Sequence, residues 1–249
     1  MRYLIILFYF VSFRTFSITI DDIEYDINSY QRLDKVNVLG TLNDSIDDNQ
    51  ARYLLGVIYG YGLYSNKIDL KKAIAILQPL LEEKYRDIHF LLGSFLSQSE
   101  NKEEVKLGIH YLEIASSSGD TVAMNNLFVL YKKGKYNNKV KLINYLKLGK
   151  DQGKPQIAIL YGKLALDKVL KAKNKIEANE VIKELETIDY SGYEGDYYYM
   201  LSAYYGFEKS PLYDEEKRDF YLMKAYKSGS TSARKLLIGM GKIKELKIN

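Results

Sequence analysis

Cysteine and tryptophan are absent from this chain of 249 residues, and histidine occurs only twice. Without cysteine the sequence offers no disulfide, no thiol chemistry and no lipoprotein cysteine. The absence names no compartment, although it is compatible with an oxidising one.

Motifs for catalysis and nucleotide binding are missing as well. The sequence has no His-Glu-x-x-His, Walker loop, nucleophile elbow or Rossmann glycine pattern. His110 and Glu113 lie three residues apart on a predicted helix, but two ligands are too few for a metal site. We therefore expect no catalytic residue, no cofactor and no metal.

Long apolar runs and strong net charge are also lacking. The formal net charge of +4 is too small to indicate a nucleic-acid-binding protein. The longest apolar run covers residues 3–13 and is interrupted only by Ser12. It is too short for a membrane span, which needs about 20 residues.

The start of the chain has the layout of a secretory signal peptide. Met1-Arg2 is a basic tip, the apolar run follows, and Thr15 and Ser17 stand at −3 and −1 of a cut after Ser17. We predict a signal peptide over residues 1–17. The alternatives are a buried N-terminal helix and an uncleaved anchor.

The dominant feature of the sequence is a repeated two-helix unit. Ala51, Leu55 and Tyr59 lie four apart and share one face of a helix, which Gly60 and Gly62 are expected to end. Asp69 can cap the second helix, whose apolar face is Ala73, Ile76, Leu77 and Leu80. Such a hairpin cannot bury its apolar faces alone, so it needs copies beside it.

The copies follow one another at solenoid spacing. The units start at Ala51, Ile88, Ala123, Ile157, Tyr197 and, as a partial copy, Ala233, so successive starts lie 34 to 40 residues apart. Glycines 119, 153 and 229 close the second helices four residues before a start, where a left-handed cap is expected. The pattern predicts an all-α solenoid of about five helix-turn-helix repeats over residues 50–249.

Other segments depart from the repeat. Residues 18–49 form an acidic segment, which we interpret as a polar cap with a short helix at Val36, Val38, Leu39 and Leu42; the alternative is an acidic arm that folds back on the basic array. Residues 167–186 predict a longer second helix in the fourth repeat. Residues 208–214 are interpreted as an insertion in the fifth repeat, and residues 242–249 as a frayed final helix.

Tyrosine is abundant, with 24 residues. By their phase in the repeat, Tyr59, Tyr131 and Tyr205 in the first helices and Tyr111, Tyr145 and Tyr221 in the second helices are predicted to be core residues.

The residues Ala51, Leu55-Gly56, Tyr59, Gly62, Asp69 and Lys72-Ala73, with Ala115…Gly119 and Ala225…Gly229 in later units, resemble the Sel-one-like repeat of the tetratricopeptide clan. The resemblance covers about residues 50–242, with Leu96 and Ala165 at positions where the family has tyrosine. It implies a right-handed superhelix that binds proteins, usually without catalysis. Secreted bacterial members include adaptors in envelope or virulence processes, and some small members resemble immunity proteins against lipase toxins of type VI secretion.

In solenoids of this clan the first helices line the concave face. Counting from each start, the residues predicted to bind a partner there are Tyr53, Tyr61, Phe90, Gln98, Asn125, Lys132, Lys133, Lys163, Tyr199 and Phe207. Exposed aromatic and basic side chains are typical of interfaces. The alternative is that tight winding buries these side chains.

Our first hypothesis is a periplasmic or secreted immunity protein that binds and neutralises a toxin. The second is an exported scaffold or adaptor for envelope or virulence proteins. The third, a hydrolase, predicts turnover that depends on His110 or Glu113. The expected partner is a protein rather than a nucleic acid. We expect no stable membrane insertion of this chain after signal cleavage. We expect the chain to be a monomer or a weak homodimer.

Overall fold

A computed structural model of the protein describes residues 18–29, 33–64 and 66–244. The predicted signal peptide, residues 1–17, lies outside the described residues. Within them the structure contains α-helices, one short 3-10 helix and no strand, so the all-α prediction is confirmed.

The chain divides into two compact units, Met1–Phe95 and Leu96–Asn249. Unit 1 contains α1 (Ile20–Ser29), α2 (Lys35–Asp44), α3 (Asn49–Tyr61), α4 (Leu70–Leu77) with the 3-10 helix Gln78–Leu81, and α5 (Ile88–Leu96), at whose end the boundary falls. Unit 2 contains α6 (Lys102–Ser117), α7 (Thr121–Lys132), α8 (Lys139–Asp151), α9 (Pro155–Lys171), α10 (Lys175–Glu186), α11 (Glu194–Gly206), α12 (Glu215–Lys227) and α13 (Thr231–Gly239).

In unit 1 the acidic segment forms two helices that pack on α3. Asp34 caps the start of α2, where its carboxylate accepts the backbone N–H of Val36. Val38 and Leu42 are fully buried in one core with residues of α3. Val36 was predicted to share this apolar face but is 75% exposed. Val36 and Val38 are two residues apart, and residues at this spacing lie on different faces of a helix.

The α1 helix is held by polar contacts as well as by its buried Ile23. The Arg86 guanidinium donates two hydrogen bonds to the Glu24 carboxylate, one of them 3.1 Å long from Nη2 to Oε2. These bonds lower the pKa of Glu24. Tyr64 donates its hydroxyl to Asp26 at 2.6 Å. The acidic segment thus packs on α3 through buried apolar side chains and is joined to Arg86 by an ion pair.

Of the two glycines predicted to end α3, Gly62 does so and Gly60 has a different role. Gly60 does not end the helix, which continues to Tyr61 and is capped by Gly62 in the left-handed region with φ 67°. Gly60 instead lies against the Phe95 ring, where a Cβ atom would come within 2.1 Å of Cζ. Close packing between helices, rather than a bend, therefore requires glycine at position 60.

Unit 2 is a series of helical hairpins with regular caps. Glycines 119, 153 and 229 have φ values of 93°, 71° and 87°, as the predicted left-handed caps require. Asp120, Asn138, Asn174 and Asp214 accept backbone N–H groups at the starts of α7, α8, α10 and α12. Residues 207–214, which include the segment predicted as an insertion, connect α11 to α12.

One prediction about unit 2 was wrong, and another lies mostly outside the described residues. Residues 167–186 are not one long second helix, since α9 extends to Lys171 and α10 begins at Lys175, after the Asn174 cap. Ile176, an apolar residue of this segment, is 76% exposed. The last described helix ends at Gly239, and Gly241 has φ 68°. Lys242 lies after this helix and pairs with Asp219, and residues 245–249 of the predicted frayed helix lie outside the described residues.

The tyrosine core is only partly the predicted one. Of the six tyrosines assigned to it by phase, Tyr205 is buried and the others are half-buried. Tyr64, Tyr136, Tyr161, Tyr190 and Tyr204 are buried as well. Tyr204 is completely buried and donates its hydroxyl to the carbonyl of Gly162 at 2.6 Å. Its pKa is raised, mainly by burial.

Candidate partner-binding surfaces

Unit 2 has a groove between the first helices of its hairpins. The groove has a volume of about 260 Å³ and is formed by α7, α9 and the start of α11. It is lined by Asn125, Gln156, Ile157, Ile159, Leu160, Lys163, Tyr193 and Asp196. Two of the ten predicted partner-binding residues, Asn125 and Lys163, therefore lie in one concavity.

The lining of this groove combines apolar and polar groups. Ile157 and Ile159 are almost fully buried, while Asn125, Lys163 and Asp196 are exposed. An amide, an ammonium and a carboxylate around aliphatic side chains can bind the backbone and one or two side chains of a polypeptide. Such a groove suits a short protein segment.

The same face of α7 continues the apolar surface beside the groove. Val122, Asn125 and Val129 follow the i, i+3, i+7 spacing of one helical face. The two valines are 53% and 40% exposed. An exposed aliphatic pair on either side of the groove residue Asn125 enlarges the surface that a partner can cover.

Four other predicted residues of unit 2 lie elsewhere. Lys132 is the last residue of α7 and Lys133 is its C-cap, both exposed at the hairpin turn. Tyr199 is half-buried and packs against the core of α12 and α13. Phe207, which follows α11, is 45% exposed and lines a more open cavity of about 530 Å³.

Gln98, also in unit 2, lies in the turn after α5 and is exposed. It does not line the groove. The groove also contains Gln156, Tyr193 and Asp196, which the positions within the repeat do not predict.

Unit 1 has an aromatic patch that is largely occupied by internal contacts. Tyr53 donates its hydroxyl to the Asp87 carboxylate at 2.6 Å, and its ring lies 5.8 Å from that of Tyr85. The Arg86 guanidinium lies 5.1 Å from the centre of the Tyr53 ring. Burial and the bond to Asp87 raise the pKa of Tyr53. The hydroxyl of this predicted contact residue already has a partner within the chain.

Tyr61 is the more accessible aromatic residue of the patch. It is 48% exposed at the end of α3, and its ring meets that of Phe95 edge to face at 5.3 Å. Phe90 is half-buried. Of the three residues predicted in unit 1, Tyr61 therefore offers the largest exposed fraction to a partner.

The pair His110 and Glu113 is not assembled into a metal site. Glu113 accepts hydrogen bonds from the Tyr136 hydroxyl at 2.8 Å and from the Lys141 ammonium at 2.9 Å. His110 is exposed beside Tyr111. Within the described ranges no group of three or more His, Asp or Glu side chains is placed to hold a metal ion, and no helix there is long and apolar enough to cross a membrane.

Comparison with known proteins gives matches in structure only. The sequence matches no protein-family model and no curated protein. The structure is similar to the crystal structure of a Sel1 repeat protein from Oxalobacter formigenes, with a TM-score of 0.59 and 18% identity over 90% of this chain and 88% of that one. A protective antigen of uropathogenic Escherichia coli strains, which displays an SLR fold, is similar with a TM-score of 0.40 and 16% identity over 88% of this chain and 55% of that one.

The first match identifies the fold. The chain has the α-solenoid fold of Sel1 repeat proteins, as the residues of its repeats indicated. At 18% identity the likeness extends to the architecture and not to a particular partner.

Proposed function

We propose that this protein is a non-catalytic interaction module and that the groove of unit 2 binds a short segment of a partner protein. The observation that carries the proposal is the groove between α7, α9 and the start of α11. Repeat solenoids use the surfaces formed by adjacent units in this way. The fold, shared with a Sel1 repeat protein, supports the same class of function.

Charge and shape favour a polypeptide segment over a small metabolite. The groove is shallow enough to leave Asn125, Lys163 and Asp196 exposed, whereas pockets for small molecules enclose most of their ligand. The exposed Val122 and Val129 extend the contact area beyond the groove. Side chains of both charges can pair with a segment that carries an acidic and a basic residue.

For the partner we propose a secreted toxin that the protein neutralises after export to the periplasm. The predicted signal peptide over residues 1–17 and the lack of a recognisable catalytic motif support this role. The second candidate, an exported adaptor for envelope or virulence proteins, is favoured by the same groove and differs in the number of partners.

The test is capture of the product of the neighbouring gene on the immobilised protein. Asn125→Arg combined with Lys163→Glu is expected to weaken capture about tenfold or more, because both side chains lie in the groove. Asn144→Arg combined with Lys147→Glu is the matched control, since both residues are exposed on α8 and outside the groove. Equal loss with both double variants contradicts binding in the groove.

Growth separates the two partner hypotheses. An immunity protein restores growth of cells that express the captured toxin in the periplasm, and the groove variant fails to do so. An adaptor captures several envelope proteins and gives no protection. Turnover in a lipase, peptidoglycan or protease screen that is lost in His110→Ala or Glu113→Gln would contradict the non-catalytic role.

A further inference from the structure

The hairpin turns of unit 2 differ in charge. Residues 132–141, which include the turn from α7 to α8, contain five lysines and no acidic residue. Residues 168–175, which include the turn from α9 to α10, contain four lysines and no acidic residue. Residues 207–214, the turn from α11 to α12, contain one lysine and two acidic residues. Positive charge is therefore concentrated in two turns.

The topology brings these two turns to the same edge of unit 2. The α7 helix packs on α8 and α9, and α9 packs on α10. Short connections make successive helices antiparallel, so α7 and α9 run in the same direction and end on the same side. We call residues 132–141 and 168–175 together the lysine edge. Phe207 lies next to it, since it shares a cavity with Leu170 of α9.

The lysine edge leaves much of its charge uncompensated. Lys132, Lys133, Lys168, Lys171, Lys173 and Lys175 are exposed and have no acidic partner among the described side chains. Lys141 differs, because it pairs with Glu113 at 2.9 Å. The nearby Glu177 carboxylate accepts the backbone N–H of Lys173 at 2.9 Å. Six like charges at one edge repel one another and attract an anionic surface.

Helix stability explains only part of this arrangement. Lys132, Lys168 and Lys171 lie at the carboxyl ends of α7 and α9, where the helix dipole favours a cation. Lys139 and Lys175, however, are the first residues of α8 and α10, where the dipole disfavours a cation. Lys139 has an interaction within the chain, so Lys175 is the lysine at a helix start that needs another explanation.

Two aliphatic side chains project from the lysine edge. Val140 and Ile176 are each the second residue of a second helix, directly after Lys139 and Lys175. They are 71% and 76% exposed, more than any other large apolar side chain described in unit 2. Exposed aliphatic groups beside lysines are the combination that favours the interface of an anionic bilayer.

We propose that the lysine edge docks this protein peripherally on an anionic lipid bilayer. The lysines contact headgroup phosphates while Val140 and Ile176 enter the interfacial layer, and the helices themselves remain outside the bilayer. A soluble polyanion would use the lysines alone and leave both aliphatic side chains in water, so the bilayer accounts for more of the surface. The proposal uses a different surface from the groove and stands independently of the partner proposed above.

The test measures sedimentation of the full protein with lipid vesicles. Vesicles with about one third phosphatidylglycerol in phosphatidylcholine are expected to bind it, increasingly weakly with added salt, and pure phosphatidylcholine vesicles to bind it little. Changing Lys132, Lys133, Lys168 and Lys171 together to Gln is expected to weaken binding at least about a hundredfold. Val140→Ser with Ile176→Ser is expected to weaken it about tenfold or more.

The control removes the same charge from other parts of unit 2. Lys147, Lys154, Lys183 and Lys227 are exposed outside the lysine edge, so changing all four to Gln should alter binding by no more than about threefold. Equal weakening by both quadruple variants means that net charge alone binds and overturns the proposal. Unchanged binding by the Val140→Ser, Ile176→Ser variant, or no preference for anionic vesicles, overturns it as well. Circular dichroism verifies that every variant is folded.

Discussion

The same position in the repeat has different roles in the two units. In the repeat that starts at Ala51, in unit 1, the residue two positions after the start is Tyr53, whose hydroxyl is bound to Asp87 at 2.6 Å. Unit 2 has Asn125 at that position in its α7 helix, exposed in a groove. Tyr53 holds neighbouring elements together at this position, whereas Asn125 is open to a partner there. Position in a repeat therefore predicts where a side chain lies better than what it contacts.

The largest expected effect comes from filling the helix contact of unit 1. Gly60→Ala puts a Cβ atom 2.1 Å from the buried Phe95 ring and should lower the free energy of unfolding by about 1–3 kcal/mol. Gly162→Ala, in unit 2, meets the Met200 sulfur at 2.3 Å and should cost less, because a thioether side chain can move aside. Urea unfolding followed by circular dichroism measures both, and an equal or larger loss for Gly162→Ala would break the comparison.

An intermediate effect is expected from the tyrosine hydroxyls. Tyr204→Phe removes a buried bond to the Gly162 carbonyl in unit 2 and should lower the free energy of unfolding by about 1–2 kcal/mol. Tyr53→Phe removes the bond to Asp87 in unit 1 and should cost about 0.5–1 kcal/mol, since Tyr53 is only half-buried. Amide hydrogen exchange assigns each loss to its unit. A larger loss of unfolding free energy for Tyr53→Phe than for Tyr204→Phe would contradict this order and show that the half-buried hydroxyl of unit 1 stabilises the protein more than the buried hydroxyl of unit 2.

The smallest expected effect depends on pH and is confined to unit 1. Arg86 lowers the pKa of Glu24 below its ordinary value of 4.5, so the pair stabilises the folded state above that pH and loses its effect as pH falls through the lowered pKa. Glu24→Gln should therefore lower stability by about 0.2–1 kcal/mol at pH 7 and by less in acid. Glu82→Gln, at an exposed site of unit 1, is the control. A Glu24→Gln deficit that persists undiminished at pH 3 would show that the side chain acts through packing.

Local signals in the sequence predicted most of the architecture. Asp69 and Gly62 were assigned as a cap and a helix end from their own residue types, and the structure places them so. Gly60 was assigned as a helix end because only its immediate neighbours could be considered. Its actual role depends on Phe95, which lies 35 residues further along the chain.

The groove could be predicted only in part for the same reason. Counting along first helices found Asn125 and Lys163, because those helices are regular. Gln156 and Asp196 belong to the beginnings of α9 and α11. Tyr193 precedes α11 and lies within the longest interval between repeat starts, from Ile157 to Tyr197. The positions of these helix ends relative to α7 depend on how the hairpins pack in space. Counting residues along the sequence gives no information on that packing.

The central claim is that the groove of unit 2, and not the aromatic patch of unit 1, is where the partner binds. Site-specific photo-cross-linking tests it most directly, with a benzophenone amino acid placed at Asn125 in one variant and at Tyr53 in another. We expect a cross-linked adduct with the partner from position 125 and little or none from position 53. An adduct from position 53 without one from position 125 would contradict the account.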